Sequence, residues 1–200
     1  MPSGLRYLPS YLDAGAQSAL LAELRAAVKT SPFMTPVMPR TGRPFTVRMN
    51  NLGPLGWVSD RSGYRYQSTH PETGNPWPAI PDLILAIWRD VSRYPHDPEA
   101  CLVNYYRQGA KMGLHRDEDE EDFAAPVISI SLGDTAVFRI GGTERGGKTE
   151  TLKLSSGDVL VMGGAARLCY HGIDRVLSGS SSLLKDGGRI NLTLRRVTKP

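Results

Sequence analysis

From residue 100 onward the chain is divided into short β-prone runs by glycine-rich turns, and this pattern limits the possible folds more than any other feature. The runs fall at 100–106, 126–132, 135–140, 149–154, 158–162, 167–171 and 189–197. Between many of them lie Gly141-Gly142, Gly146-Gly147, Ser156-Gly157-Asp158, Gly163-Gly164 and Gly187-Gly188. Runs of this length with turns of this chemistry make strands of a double-sheet jelly roll or a barrel, not a helical bundle. Upstream, residues 13–30 have the spacing of an amphipathic helix, with Asp13 as cap, Leu20, Leu21, Leu24 and Val28 on one face and Pro32 as stop. A second helix is expected over about 80–93, with Pro81 in its first turn and Ile84, Ile87, Trp88 and Val91 facing inward. The predicted class is mainly β (α+β), with both helices packed outside one sheet.

Two hundred residues with 40% hydrophobic and 22% charged side chains suit one folded domain, 1–200. No apolar run approaches the roughly 18 residues needed to span a bilayer, and the first residues carry neither a basic nor an apolar signal region. Cys101 and Cys169, far apart in sequence, fit two small buried hydrophobes in a reducing compartment. A cytoplasmic monomer is therefore expected.

The net charge of +4 conceals an asymmetry. Residues 117–122 are Asp-Glu-Asp-Glu-Glu-Asp; without that run, 24 basic residues face 14 acids, a balance of +10. Such a surface favours a polyanion such as nucleic acid, although many basic proteins bind nothing in particular. Residues 31–79 sharpen the point. They hold Arg40, Arg43, Arg48, Arg61 and Arg65, with Phe45, Trp57, Tyr64, Tyr66 and Trp77 interspersed and only Asp60 and Glu72 as acids. Cations for phosphates and aromatic faces for bases are what single strands require. A surface hairpin packing its aromatics on the core would have the same composition.

Three fragments carry the chemistry: His115-Arg116-Asp117, a lone His171, and Arg189-Ile-Asn-Leu-Thr-Leu-Arg195. Two histidines and a carboxylate form the facial triad of non-haem Fe(II) oxygenases, and zinc accepts the same set. On a strand, His115 and Asp117 leave one face together. His171 follows the β-like run 166–170, and a jelly roll can return that strand beside the first; a hydrogen-bonded core histidine is the alternative. In the third fragment Arg189, Asn191, Thr193 and Arg195 share one strand face. An arginine forks onto a carboxylate, and a second can hold the other end of a small diacid, with Asn104 and Tyr106 completing the pocket. A solvent-facing edge strand would show the same alternation. Of the acids after Asp117, Glu118 and Glu120 to Asp122 are expected in a solvated loop.

Taken together and in order, Cys101-Leu-Val-Asn-Tyr-Tyr106, Gly109-Ala-Lys, Leu114-His-Arg-Asp-Glu-Asp119, Tyr170-His-Gly172 and the strand 189–195 resemble the bacterial AlkB family of alkylation-repair dioxygenases. LGWVSDRSGYRY and NPWPAIP resemble the nucleotide-recognition lid of that family. The resemblance implies a double-stranded β-helix (jelly-roll) core over 98–200 and a lid over 31–79. It implies Fe(II) on His115, Asp117 and His171, with 2-oxoglutarate and O2 as cosubstrates. The 2-oxoglutarate pocket would be Asn104, Tyr106, Arg189, Asn191 and Arg195, with Arg189 on the distal carboxylate and Arg195 nearer the metal. Trp57 would stack on the extruded base opposite His115, Asp119 would stand beside that base, and Tyr64 and Arg145 would complete the substrate contacts. Met162 stands where close relatives carry tryptophan, and residues 142–150 depart from them in length and composition. The implied reaction is oxidative demethylation of 1-methyladenine and 3-methylcytosine in single- or double-stranded DNA, and in RNA. Two alternatives remain open: an oxygenase of the same kind acting on another substrate, and a cupin-like zinc module, which would have no use for Arg189 and Arg195.

Overall fold

The computed structural model describes residues 1–200. Helix α1 runs from Ala14 to Thr30; the Asp13 carboxylate accepts the Ala16 amide at 2.8 Å, so one orphan donor of the first turn is satisfied. Helix α2 is Asp82–Val91. Pro81 lies at its N-cap rather than inside its first turn, because its extended backbone (ψ 143°) precedes the helical geometry. Neither helix is long and apolar enough to cross a membrane.

Twelve strands complete the chain: β1 Leu5–Leu8, β2 Arg48–Leu52, β3 Gly56–Asp60, β4 Gly63–Gln67, β5 Ala100–Tyr106, β6 Met112–His115, β7 Val127–Gly133, β8 Thr135–Ile140, β9 Glu150–Leu154, β10 Val159–Met162, β11 His171–Leu177 and β12 Arg189–Arg195. The pairing is antiparallel throughout. One sheet has the order β1-β10-β7-β12-β5-β2, a second β6-β11-β8-β9, and β3-β4 form a separate hairpin. Most runs expected after residue 100 match these strands within two residues. One does not: 167–171 is not a strand, since a short 3-10 turn at Gly164–Ala166 precedes it and His171 opens β11. Within 31–79, β2 belongs to the edge of the large sheet, beside β5, while β3 and β4 stand apart from it.

The period-two alternation of the strands sorts side chains into two apolar layers. Ile190, Leu192 and Leu194 of β12, with Ile128, Ile130 and Leu132 of β7, pack against Leu20, Leu24, Ile84 and Trp88 of the helices. The opposite face of the large sheet packs Leu102, Val127, Leu160 and Met162 against Phe138, Ile140 and Ile173 of the smaller sheet. β12 is a central strand, hydrogen-bonded to β5 on one side and β7 on the other. Its polar face therefore lies between the sheets, not in solvent, and all seven of its residues are buried.

Leu192 is fully buried beneath the helix layer, so Leu192→Ala should cost about 2–5 kcal/mol through lost transfer energy and a residual cavity. Urea titration would register this as a lower midpoint at unchanged slope. A midpoint unchanged from wild type would mean that the helices do not rest on this strand.

Candidate metal centre and cosubstrate cavity

A cavity of about 500 Å³ opens between the two sheets beneath the β3–β4 hairpin. Its walls include every residue that the family resemblance assigned to metal, cosubstrate or substrate: His115, Asp117 and His171; Asn104, Tyr106, Arg189, Asn191 and Arg195; Trp57, Tyr64, Asp119 and Arg145. Met162 lines it too, buried on β10.

At the floor, His171 pairs directly with His115 across β11 and β6, which brings the two rings to 4.6 Å between centroids. Gly172 permits this approach: a Cβ there would lie 2.6 Å from the Met112 carbonyl oxygen and 2.8 Å from that of Gly113. Nδ1 of His115 meets the Gly113 carbonyl at 2.9 Å and Nδ1 of His171 meets that of Cys169 at 3.0 Å. Each carbonyl can only accept, so the Nδ1 atoms carry the protons and both Nε2 lone pairs are free for a metal. Those Nε2 atoms lie 3.7 and 3.9 Å from the Asp117 carboxylate, and the three ligand atoms fall within 4.8 Å of one another.

Asp117 does not reach this position as a strand residue. β6 ends at His115, and Asp117 lies in the loop beyond it. It is turned inward by two arginines: Arg167 donates to its backbone carbonyl at 2.7 Å, and Arg195 holds its carboxylate at 2.9 and 3.2 Å. Burial by itself would raise the Asp117 carboxyl, but Arg195, then His171 and His115, hold it well below the usual range. Burial, with His115 second, pushes His171 down to about 4. At neutral pH the triad thus presents one carboxylate and a neutral His171, the charge states that metal coordination needs.

The cavity wall beyond the triad is β12 with its neighbours. Asn191 stands opposite Asn104 and Arg189 opposite Tyr106 in the β12–β5 register. Asn191 donates to Ser129 at 2.7 Å and accepts from Thr193 at 2.9 Å. Arg189 is 1% exposed, donates once to Ser131 at 3.0 Å and lies over the Tyr106 ring at 5.4 Å. No carboxylate faces it; Nε and Nη1 have no partner, nor has Oδ1 of Asn104. Burial pushes this guanidinium down to about 10. A buried cation with two unused donors is costly, and the deficit is what an incoming carboxylate would supply. The residues present therefore fit both an iron-type metal and a dicarboxylate cosubstrate.

Above the triad, the hairpin turns Trp57, Tyr64 and Tyr66 to one face. Trp57 stacks on Tyr64 at 5.4 Å and 19°, and its indole N–H donates to Asp119 at 2.8 Å. Tyr66 donates to Glu120 and accepts from Arg195 at 3.3 Å. Here the solvated-loop expectation fails for Glu120, which is 5% exposed and ion-paired with Arg167 at 2.9 Å. Glu118 and Glu121 do remain exposed. Arg167 was not singled out from the sequence because it lies in an ordinary β-like run, and Tyr66 was only one aromatic among several. Position in the acid run carried no sign of which acids turn inward. Arg145 is exposed, at the cavity mouth on the loop between β8 and β9.

A histidine pair on paired antiparallel strands and an aspartate in the adjoining loop, beside a buried arginine without a counter-ion, define an Fe(II)- and 2-oxoglutarate-dependent oxygenase. In agreement, residues 4–195 match the model of the 2OG-Fe(II) oxygenase superfamily. Within that class the chain belongs to the AlkB family. It is 53% identical over 194 residues to the alpha-ketoglutarate-dependent dioxygenase AlkB homolog of Caulobacter vibrioides, covering 97% of this chain and 88% of that protein. It is 41% identical over 188 residues to the alpha-ketoglutarate-dependent dioxygenase AlkB of Escherichia coli, covering 92% of this chain and 86% of that protein. The solved structure of OsALKBH1 superposes with a TM-score of 0.84 at 31% identity, covering 98% of this chain and 97% of the other.

Arg189→Met should leave the metal-free, cosubstrate-free protein as stable as wild type or up to about 2 kcal/mol more stable, because an uncompensated buried charge is replaced by an apolar chain. Chemical denaturation measures this. A clear loss of stability would show that the guanidinium is already satisfied.

Proposed function

We propose that this protein removes alkyl groups oxidatively from 1-methyladenine and 3-methylcytosine in DNA, with RNA as a second polymer, in the cytoplasm and as a monomer. The observation that carries the reading is the continuity of one cavity from the metal triad, past the uncompensated Arg189, to Trp57 and Asp119 at the mouth. The relatives above, named as AlkB and an AlkB homolog, support it. The domain division follows: a double-stranded β-helix core over 98–200 and a nucleotide-recognition lid over 31–79, within a single domain.

In this reading Arg189 pairs with the distal carboxylate of 2-oxoglutarate, Tyr106 and Asn191 line its length, and Arg195 with Asn104 serves the metal-side end. Fe(II) on the triad with 2-oxoglutarate in this pocket would supply, with O2, the oxidation of the methyl carbon to a hydroxymethyl group, which would leave as formaldehyde and restore the base, with succinate and CO2 as coproducts. The chain's own task is presentation. The base leaves its stack at a cost of a few kcal/mol, and stacking on Trp57 in place of Tyr64 offsets part of that cost. A methylated base is cationic and gains further from the aromatic face and the Asp119 carboxylate, as an uncharged base does not. Arg145 and Tyr64 stand at the rim for the flanking strand.

Not every arginine of the lid is available for phosphates. Arg65 is paired with Asp60 at 2.8 Å, and Arg48 donates to the Phe33 carbonyl while lying over its ring. Arg40, Arg43 and Arg61 are exposed and form no ion pair, and Arg61 reaches over the Gly42 turn that Arg40 and Arg43 flank. They are the cations assigned to the nucleic-acid backbone.

The central test is anaerobic loading with Fe(II) and 2-oxoglutarate, addition of a single-stranded oligonucleotide bearing one 1-methyladenine, and admission of air. Mass spectrometry should show loss of one methyl, dependent on both cofactors and absent in His171→Ala. An unchanged oligonucleotide with steady succinate formation would keep the oxygenase and discard this substrate. Separately, replacing Arg40, Arg43 and Arg61 by glutamine should flatten the dependence of log K on log salt for a single strand by about 0.7 per arginine. An unaltered slope would place the strand elsewhere.

A further inference from the structure

Glu120 lies three residues beyond the carboxylate of the metal triad, and three groups share its own carboxylate. Arg167 Nη2 stands 2.9 Å from Oε2, Arg195 Nε stands 3.5 Å from Oε1, and the Tyr66 hydroxyl donates to Oε1. Its side chain is 1% exposed, so this is an interior ion cluster and not a surface pair. Arg167 is equally buried and fully engaged, with further bonds to the carbonyls of Ala125 at 3.0 Å and Asp117 at 2.7 Å.

Arg195 is shared. Its Nη2 lies 2.9 Å from Asp117 Oδ1 and its Nε 3.2 Å from Asp117 Oδ2, so both oxygens of the metal-ligand carboxylate already hold a cation. A divalent metal in the triad must draw on the same oxygens, and its charge repels the guanidinium. In a buried site, a cation that loses its only counter-charge carries a heavy desolvation cost. Glu120 lies beside the same Nε, is fixed on its far side by Arg167, and is not one of the triad's ligands.

We propose that Glu120 is a positioning residue for the metal centre: it is the charge partner that keeps Arg195 compensated when a divalent cation takes Asp117. Arg167 has the complementary task of clamping the acidic loop through Glu120 and the Asp117 carbonyl. The proposal rests on the family's metal triad and not on the choice of substrate.

Because Glu120 also neutralises Arg167, the test separates the two roles. Mn(II) is titrated calorimetrically into metal-free protein, without 2-oxoglutarate or nucleic acid, and thermal unfolding is recorded alongside. Wild type is compared with Glu120→Gln, Arg167→Met and the double variant. Arg167→Met and the double variant both lack the Arg167 clamp and differ only in the Glu120 charge. The expected result is that both Glu120→Gln proteins bind Mn(II) on the order of 10–100-fold more weakly than their Glu120 counterparts. Unfolding temperature should follow a different rule: Glu120→Gln alone strands Arg167 and melts early, and the double variant recovers. If Mn(II) affinity recovers with the melting temperature in the double variant, or never depended on Glu120, the pair is only structural and the proposal is overturned. Wild type against Glu120→Gln makes the same comparison with Arg167 present, so failure of one single variant to fold does not remove the test.

Discussion

Arg195 lies between the sheets, 6% exposed, with Asp117, Glu120 and Tyr66 around its guanidinium. Burial opposes its charge, but these partners, Asp117 foremost, more than offset that and hold it well above its ordinary range. Much of the site depends on this arrangement. Asp117 owes its ionised state chiefly to Arg195. The hairpin is tied to the core through Tyr66, which hydrogen-bonds to both members of the Arg195–Glu120 pair. Because β12 is central, the outward apolar side chains on the same strand anchor the arginine against the helix layer. Stability and site geometry are thus two faces of one strand.

Arg189, six residues earlier on the same face, is treated in the opposite way. It has an aromatic ring and one hydroxyl where Arg195 has two carboxylates. The two arginines are alike in chemistry and burial, so the difference is made by their neighbours. Arg189 faces Gly133 on one side and Tyr106 on the other, neither of which offers an anion. The fold therefore keeps the arginine at one end of the cavity compensated and the arginine at the other end unsatisfied. Under the proposed function, this asymmetry would orient a small diacid with one carboxylate toward Arg189.

The β12 alternation was legible in sequence because strand periodicity is strict: a polar residue every second position states a face, whatever the tertiary context. Only the identity of that face, interior or solvent, needed the sheet order. The helices were legible for the same reason, with Asp13 and Pro32 marking the bounds of α1. Run 167–171 misled because Ala166-Arg167-Leu168-Cys169-Tyr170 has strand composition while a 3-10 turn and the Arg167 clamp determine its path. Glu120 was illegible in principle. Six consecutive acids offer no periodicity, and what turns Glu120 inward while Glu118 and Glu121 stay outside is Arg167, 47 residues away in sequence. Asp117 shows a related limit: HxD spacing suggested a shared strand face, yet a loop held by two distant arginines achieves the same convergence.

The cavity mouth shows how the ligand-free protein keeps its aromatic platform. Trp57 is not an open face awaiting a base: Tyr64 is stacked against it, and Asp119 accepts a hydrogen bond from its indole N–H. Both contacts cost little to exchange. The Tyr64 side chain is exposed and belongs to a two-stranded hairpin with no sheet neighbour, so it can yield to another ring of similar area. The Asp119 carboxylate retains lone pairs after accepting the indole N–H, so it can serve a second donor without losing the first. A base entering here would exchange one stacking partner for another instead of creating a stack from nothing. Entry would then depend less on stacking than on what Tyr64 lacks: a positive charge near Asp119. Under the proposed function, selectivity for a cationic ring would reside in the electrostatics of Asp119 and not in the area of Trp57.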